Sequence, residues 1–274
     1  MKLSLLIQEI GRKKSYLCTG LDTDIEKLPS HLPQTPEGIL QFNKAIIQAT
    51  EPYSVAYKIN TAFYESLGKF GWVILEETFK AIPDHCLKIA DAKRGDIGNT
   101  ADHYAKAFFK SLKADAVTVS PYMGCDTLLP FLAYKEHFTI VLGLTSNTGA
   151  QDFEMLNTSE GPVYRKVMEK VAKMAGPEQL MFVAGATKAE QLQDIRNWLP
   201  HHFLLVPGVG AQGGDLEAIS RAALNAQGGL LVNASRSIIY ASQGDDFAQK
   251  AGEEACRIQQ KMKSLLKAIY QNTA

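Results

Sequence analysis

Asp91, Lys93 and Asp96 place two carboxylates and an ammonium within six residues, in the run AlaAspAlaLysArgGlyAspIleGlyAsnThrAla at 90–101. Such an acid–base–acid array can hold a proton donor beside a carboxylate and face developing negative charge. The apolar run Cys86–Ala90 leads into it, so the charges begin where a buried element surfaces. On an extended strand, positions i and i+2 share a face. That rule predicts Asp91 and Lys93 side by side. Gly95 and Gly98 allow a sharp turn around Asp96, and Asn99 and Thr100 suit the cap of a following helix. The same spacing also occurs in solvated loop tips and structural ion pairs. The buried lead-in and ordered exit favour a catalytic array.

Positioning these groups requires a scaffold, and the apolar runs outline one. Strands are predicted near Tyr16–Leu21, Ser54–Ile59, Leu87–Lys93, Ala116–Val119, Thr139–Leu144, Met181–Ala184, Phe203–Val206 and Leu230–Asn233. Each is nearly continuous in apolar residues, as in a parallel sheet covered on both faces. Helical patterns fill most gaps: Pro36–Thr50, Phe63–Ala81, Asn99–Lys113, Gly161–Ala175, Lys188–Trp198 and Asp215–Ala226, with a shorter connection at Asp126–Lys135. Eight such units predict a single (β/α)8 TIM barrel over 1–274, with Asp245–Tyr270 as a C-terminal helical extension. Sites in this architecture sit at the C-terminal ends of the strands. The informative polar residues fall there. Asp22 follows the first strand, Lys58 ends the second, Ser146 follows the fifth, and Ser235 and Arg236 follow the eighth.

The segment ProGlyValGlyAlaGlnGlyGlyAsp at 207–215 contains a literal GxGxxG. A dinucleotide fingerprint would open the first βαβ unit and be followed by an acidic residue ~20 positions on. This segment follows a seventh strand and lacks that acid. Its glycines instead let backbone N–H groups approach an anion, beside a helix starting at Asp215. Loops after strands seven and eight are the usual phosphate site of this barrel. Arg236 is placed to pair with phosphate bidentately, although a surface ion pair is the alternative. Together they predict a ligand carrying a monophosphate.

Composition narrows the partner. Lys+Arg and Asp+Glu both number 29, so the chain is formally neutral and ill suited to nucleic acid or an anionic membrane. Cys18, Cys86, Cys125 and Cys256 are scattered, which suits a reducing cytoplasm rather than disulfides or a zinc site. The six histidines show no ligand spacing, and no metal is expected. The N-terminal apolar run is interrupted by Gln8 and Glu9, too short for a signal sequence, and no stretch reaches the ~18 apolar residues of a membrane span. A small-molecule ligand and a cytoplasmic location are expected.

The pattern Asp91-x-Lys93-x-x-Asp96-Ile97-Gly98-x-Thr100, with the ProGlyValGly turn and the Ser235–Arg236 pair, resembles the orotidine 5′-phosphate decarboxylase family. LeuThrSerAsnThrGlyAla at 144–150 and the LysArgGlyAspIleGlyAsnThrAla wording resemble its longer bacterial subfamily, with Thr148 where proline is expected. The resemblance runs from Asp22 to Arg236 and implies conversion of orotidine 5′-phosphate to uridine 5′-phosphate, the last step of pyrimidine nucleotide synthesis, without a cofactor. It also implies roles for individual residues. Asp22 and Lys58 would bind the ribose, and Lys58 would join the charged array. Asp91 would sit against the scissile carboxylate, and Lys93 would protonate C6. Asp96 and Thr100 would serve the other subunit of a homodimer. Ser146 would touch the pyrimidine, and Gln212 would bridge pyrimidine and phosphate. Pro207, Gly210, Ser235 and Arg236 would belong to the phosphate end. Ile97 and Val209 would line the pocket that carbon dioxide leaves. Magnesium-dependent phosphosugar decarboxylases share a strand-three DxK, and a non-catalytic phosphometabolite-binding barrel is a further alternative. The intact LysArgGlyAspIleGly run, with Ser146 and Gln212, disfavours the first, and the complete charged array disfavours the second.

Overall fold

The computed structural model describes residues 1–185, 189–208 and 215–272, with side chains as far as 268. Eight parallel strands follow one another around a closed barrel: β1 (Leu17–Gly20), β2 (Ser54–Asn60), β3 (Leu87–Arg94), β4 (Ala116–Val119), β5 (Phe138–Leu144), β6 (Leu180–Ala184), β7 (Phe203–Pro207) and β8 (Leu230–Ala234). β8 pairs with β1 to complete the ring. Each matches a predicted strand to within one residue at either end. The apolar runs explain why: β1, β4, β6 and β8 are buried along their whole length, as the wall of a barrel sheathed by helices must be.

The sheath departs from prediction in instructive places. The expected helix at 63–81 is two, Ala62–Glu65 and Gly68–Ala81, because Gly68 takes a left-handed φ of 62° between them. The expected helix at 99–113 runs as an α-helix over Gly98–Lys106 and continues as a π-helical turn, Ala107–Ser111. The chain also opens with an unanticipated helix, Leu3–Lys13, which buries Leu6 and Ile10. A short antiparallel pair, 157–158 with 161–162, lies in the connection after β5. That connection is pinned to the strand end, because Thr145 donates its N–H to Glu154 Oε2 at 2.7 Å and its hydroxyl to Oε1 at 2.8 Å.

The C-terminal helix, Phe247–Asn272, packs beside Pro36–Thr50 and Leu216–Ala223, the position of an eighth sheath helix. Phe247 stacks on Phe42 with ring centroids 5.1 Å apart. Further along, Gln259 donates to the Lys13 carbonyl at 2.8 Å, so the helix reaches the base of the barrel. Its 26 residues span about 39 Å, which fits the expected extension beyond ring closure.

Candidate active site

Register between β1, β2 and β3 delivers the charged side chains to one end of the barrel. Gly20 lies opposite Lys58, and Asn60 opposite Asp91. Lys58 Nζ is 2.8 Å from Asp91 Oδ2 and 3.3 Å from Asp22 Oδ1. Lys93 Nζ is 2.6 Å from Asp91 Oδ1. Four charges therefore alternate along a continuous line: Asp22, Lys58, Asp91, Lys93. Burial alone would raise the Asp91 pKa, but the Lys58 and Lys93 ammoniums outweigh it and hold the carboxyl down at about 2. Burial would likewise discharge Lys58, yet Asp22 and Asp91 push its pKa above the ordinary lysine value. The line stays ionised because each charge stabilises the next.

The way Lys93 reaches Asp91 is not the one predicted. Alternation along a regular strand does not operate here, because the β3–β4 register shifts between Ala90 and Arg94. Within that bulge Lys93 adopts φ 47°, left-handed for a non-glycine residue, a conformation costing roughly 1–2 kcal/mol. Thr118 of β4 holds it in place. Its hydroxyl oxygen accepts the Lys93 N–H at 2.9 Å and its proton goes to Asp91 Oδ1 at 3.0 Å. The bulge lifts Lys93 out of the barrel wall, so that its side chain is 49% exposed while Asp91 stays buried.

Asp22, Lys58, Asp91 and Lys93 share a cavity of about 240 Å³ with Ser146, Pro207, Ser235 and Arg236. Asn60, Val183, Leu205, Gly208 and Asn233 complete the lining. Two glycines make the crowding possible. A Cβ on Gly20 would sit 1.8 Å from Ser235 Oγ, and one on Gly185 would sit 2.7 Å from the Ser146 nitrogen. Arg236 is exposed at the cavity edge and forms no ion pair among the described residues. Asn233 donates to Ser235 Oγ at 3.2 Å, and its own buried Oδ1 has no donor among the described residues. Asp215 caps Leu216–Ala223 by accepting from Glu217 N at 2.9 Å. The charged array and the Ser235–Arg236 pair thus line one cavity.

Three predicted residues are not brought there. Asp96, Ile97 and Thr100 do not line the cavity of their own chain, and Ile97 is 58% exposed. The helix begins at Gly98, so Asn99 and Thr100 lie in its first turn and do not cap it. The Asp96 carboxylate instead accepts the Ile97 N–H at 2.8 Å. Val209, Gly210 and Gln212 lie outside the described residues. Sequence reasoning passed over Thr118, Asn60 and Asn233. Their signal was a polar residue inside or ending an otherwise apolar strand run, where burial demands a partner.

Glu51, His85 and Cys86 form a second cluster of potential ligands, at the opposite, N-terminal end of the barrel. A cation already occupies it. Lys13 Nζ donates to the Glu51 carbonyl at 2.6 Å, Glu51 Oε1 at 2.9 Å, the Ser54 carbonyl at 2.7 Å and Cys86 Sγ at 3.5 Å. No helix among the described residues is long and apolar enough to cross a membrane.

Comparison with known proteins bears on what the charged cavity is for. Residues 15–251 match the model of the Orotidine 5′-phosphate decarboxylase / HUMPS family. An orotidine 5′-phosphate decarboxylase of Flavobacterium johnsoniae is 51% identical over 98% of this chain and 100% of the relative. Its counterpart in Porphyromonas gingivalis is 53% identical over 96% of this chain and 97% of its own. The solved structure of Leishmania donovani OMP decarboxylase superposes with a TM-score of 0.79 at 36% identity, covering 94% of this chain and 99% of that one. With its barrel, its charged array and these relatives, the chain belongs to the orotidine 5′-phosphate decarboxylase family.

Proposed function

We propose that this protein decarboxylates orotidine 5′-phosphate to uridine 5′-phosphate, with Lys93 as the proton donor. The observation that carries the reading is the unbroken line Asp22–Lys58–Asp91–Lys93 sharing one cavity with Arg236. Loss of the carboxylate from C6 leaves an electron pair in the ring plane, outside the π system. An ammonium at ~4 Å and an effective dielectric of ~20 stabilises that charge by about 4 kcal/mol, and the same group supplies the proton that ends the reaction. Asp91, fixed by Lys58, Lys93 and Thr118, repels the substrate carboxylate, and this repulsion falls as neutral carbon dioxide departs. Asp22 and Lys58 hold the ribose hydroxyls, and Ser146 and Gln212 hold the pyrimidine edge. Arg236, with Ser235, Pro207 and Gly210, grips the phosphate. That remote grip positions the ring against the array. Val209 lines the path of carbon dioxide.

The same reading makes the protein a cytoplasmic homodimer of single-domain chains. Asp96 and Ile97, in the turn after β3, and Thr100, in the first turn of the following helix, do not line their own cavity and complete the site of the partner. Turnover is followed by loss of orotate-ring ultraviolet absorbance with excess EDTA present. Sustained turnover supports the assignment, and complete loss in EDTA overturns it in favour of a metal-dependent phosphosugar lyase. Mixing Asp91→Asn with Asp96→Asn protein restores part of the activity through hybrid dimers. No recovery after demonstrated subunit exchange refutes the shared site.

A further inference from the structure

We propose that Arg94 is a positioning residue that holds the β3 bulge so that Lys93 keeps its ammonium on Asp91. Arg94 follows Lys93 directly and lies where β3 rejoins β4 opposite Val119, just beyond the register shift. Its guanidinium makes an ion pair with Glu65, on the short helix that follows β2. It donates to the Ala92 carbonyl at 3.2 Å, on the other side of Lys93 in sequence. Its central carbon lies 5.5 Å from the ring centroids of both Tyr104 and Phe108, in the helical segment after β3. The Arg94 carbonyl accepts the Ser120 N–H at 2.7 Å, which fixes the backbone on the far side of the bulge.

These contacts do different jobs. The Ala92 and Ser120 bonds brace the chain on both sides of Lys93, whose left-handed φ needs its surroundings to hold it. Glu65 ties the bulge to the connection after β2, the strand carrying Lys58, so the two lysines flanking Asp91 are held at a fixed separation. The stack on Tyr104 and Phe108 uses the planarity of a guanidinium, which a lysine ammonium lacks. Arg94 itself does not line the cavity, so it acts through Lys93 and leaves the phosphate grip alone.

This inference rests on the decarboxylase reading for its kinetic test, and a chemical test is independent of turnover. In Arg94→Met, kcat for orotidine 5′-phosphate falls about 10–100-fold, the loss expected from a misplaced reacting group, while KM stays within about twofold because phosphate binding is untouched. Arg94→Lys recovers only part of kcat. Glu65→Gln, which retains the guanidinium, lowers kcat in the same direction and serves if Arg94→Met does not fold. Trace acetylation read by mass spectrometry reports on Lys93 directly: its labelling relative to Lys250 rises several-fold in Arg94→Met. Unchanged kcat together with unchanged Lys93 labelling overturns the proposal. So does a loss of melting temperature with kcat intact, or full recovery by Arg94→Lys. A wild-type protein without turnover overturns the decarboxylase reading, and the labelling ratio still decides the role of Arg94.

Discussion

Two buried lysines sit at opposite ends of this barrel, each bound to a carboxylate, and they differ in what else they touch. At the N-terminal end, the Lys13 ammonium has four acceptors, two of them backbone carbonyls, and its side chain is 2% exposed. Every proton it can donate is accounted for within the protein. At the C-terminal end, Lys58 has two carboxylates as partners, and the line continues to a half-exposed Lys93 and a cavity. The saturated end stabilises; the open end keeps donors for a ligand. Charge and burial alone do not separate a structural ion pair from a catalytic one. The useful question is whether the donors are exhausted.

Substitutions at the two ends test that distinction. Lys93→Ala should produce the largest effect, a fall in kcat of about 10³-fold, the rate equivalent of the roughly 4 kcal/mol assigned to its ammonium. Nucleotide binding should persist, as measured by calorimetry with uridine 5′-phosphate. Near-wild-type turnover would overturn the role given to Lys93. Lys13→Met should do the reverse. Removing Lys13 leaves the buried Ser54 carbonyl without its lysine donor, at a cost of about 1–3 kcal/mol, read as a lower urea midpoint, while the folded fraction keeps its kcat. If Lys13→Met lowers kcat as steeply as Lys93→Ala, the contrast between the two ends fails.

Within the open end, the array and the proposed phosphate grip should separate by kinetic parameter. Arg236 has no ion-pair partner among the described residues, so removing it strands no buried charge. Losing a charge-assisted contact worth about 1.5–3 kcal/mol should raise KM about 10–150-fold in Arg236→Ala. Titration of initial rate against substrate checks this. A loss confined to kcat would place Arg236 in the chemistry instead of the grip.

What the sequence disclosed about the molecule follows from how locally each feature is determined. Runs such as Ala116–Val119 and Phe203–Val206 are buried on both faces, so composition alone marks them as strands. The array was legible because strand order puts Asp22, Lys58 and Asp91 at the same barrel end, whatever the side-chain detail. The bulge at Lys93 was not. Its φ is set by Thr118 and by the β4 register, both more than twenty positions away in the chain. The helix Leu3–Lys13 was missed for a related reason. Its apolar spacing is short, and its stability comes from tertiary contacts such as those of Lys13 with Glu51 and Ser54. Asp96 shows the opposite limit. The motif names it, but the site proposed for it is that of a second chain.

The smallest effect concerns acid stability and sharpens what keeps the open end charged. Asp91 has its pKa held at about 2 in the folded protein, against about 3.9 for an unstructured aspartate. Its folded value is depressed, so the unfolded chain binds the proton first as pH falls. Asp91 therefore contributes stability that is fully present above pH ~4 and drains away as pH drops toward 2. The size is about 2–3 kcal/mol, the equivalent of the shift for a nearly buried group. Asp91→Asn should be less stable than wild type at neutral pH, because Lys58 and Lys93 lose their shared counterion. Its urea midpoint should also fall less steeply than that of wild type between pH 4 and pH 2.5. Parallel slopes would mean that Asp91 is not the group held ionised by the two lysines, and the alternating line would lose its central member.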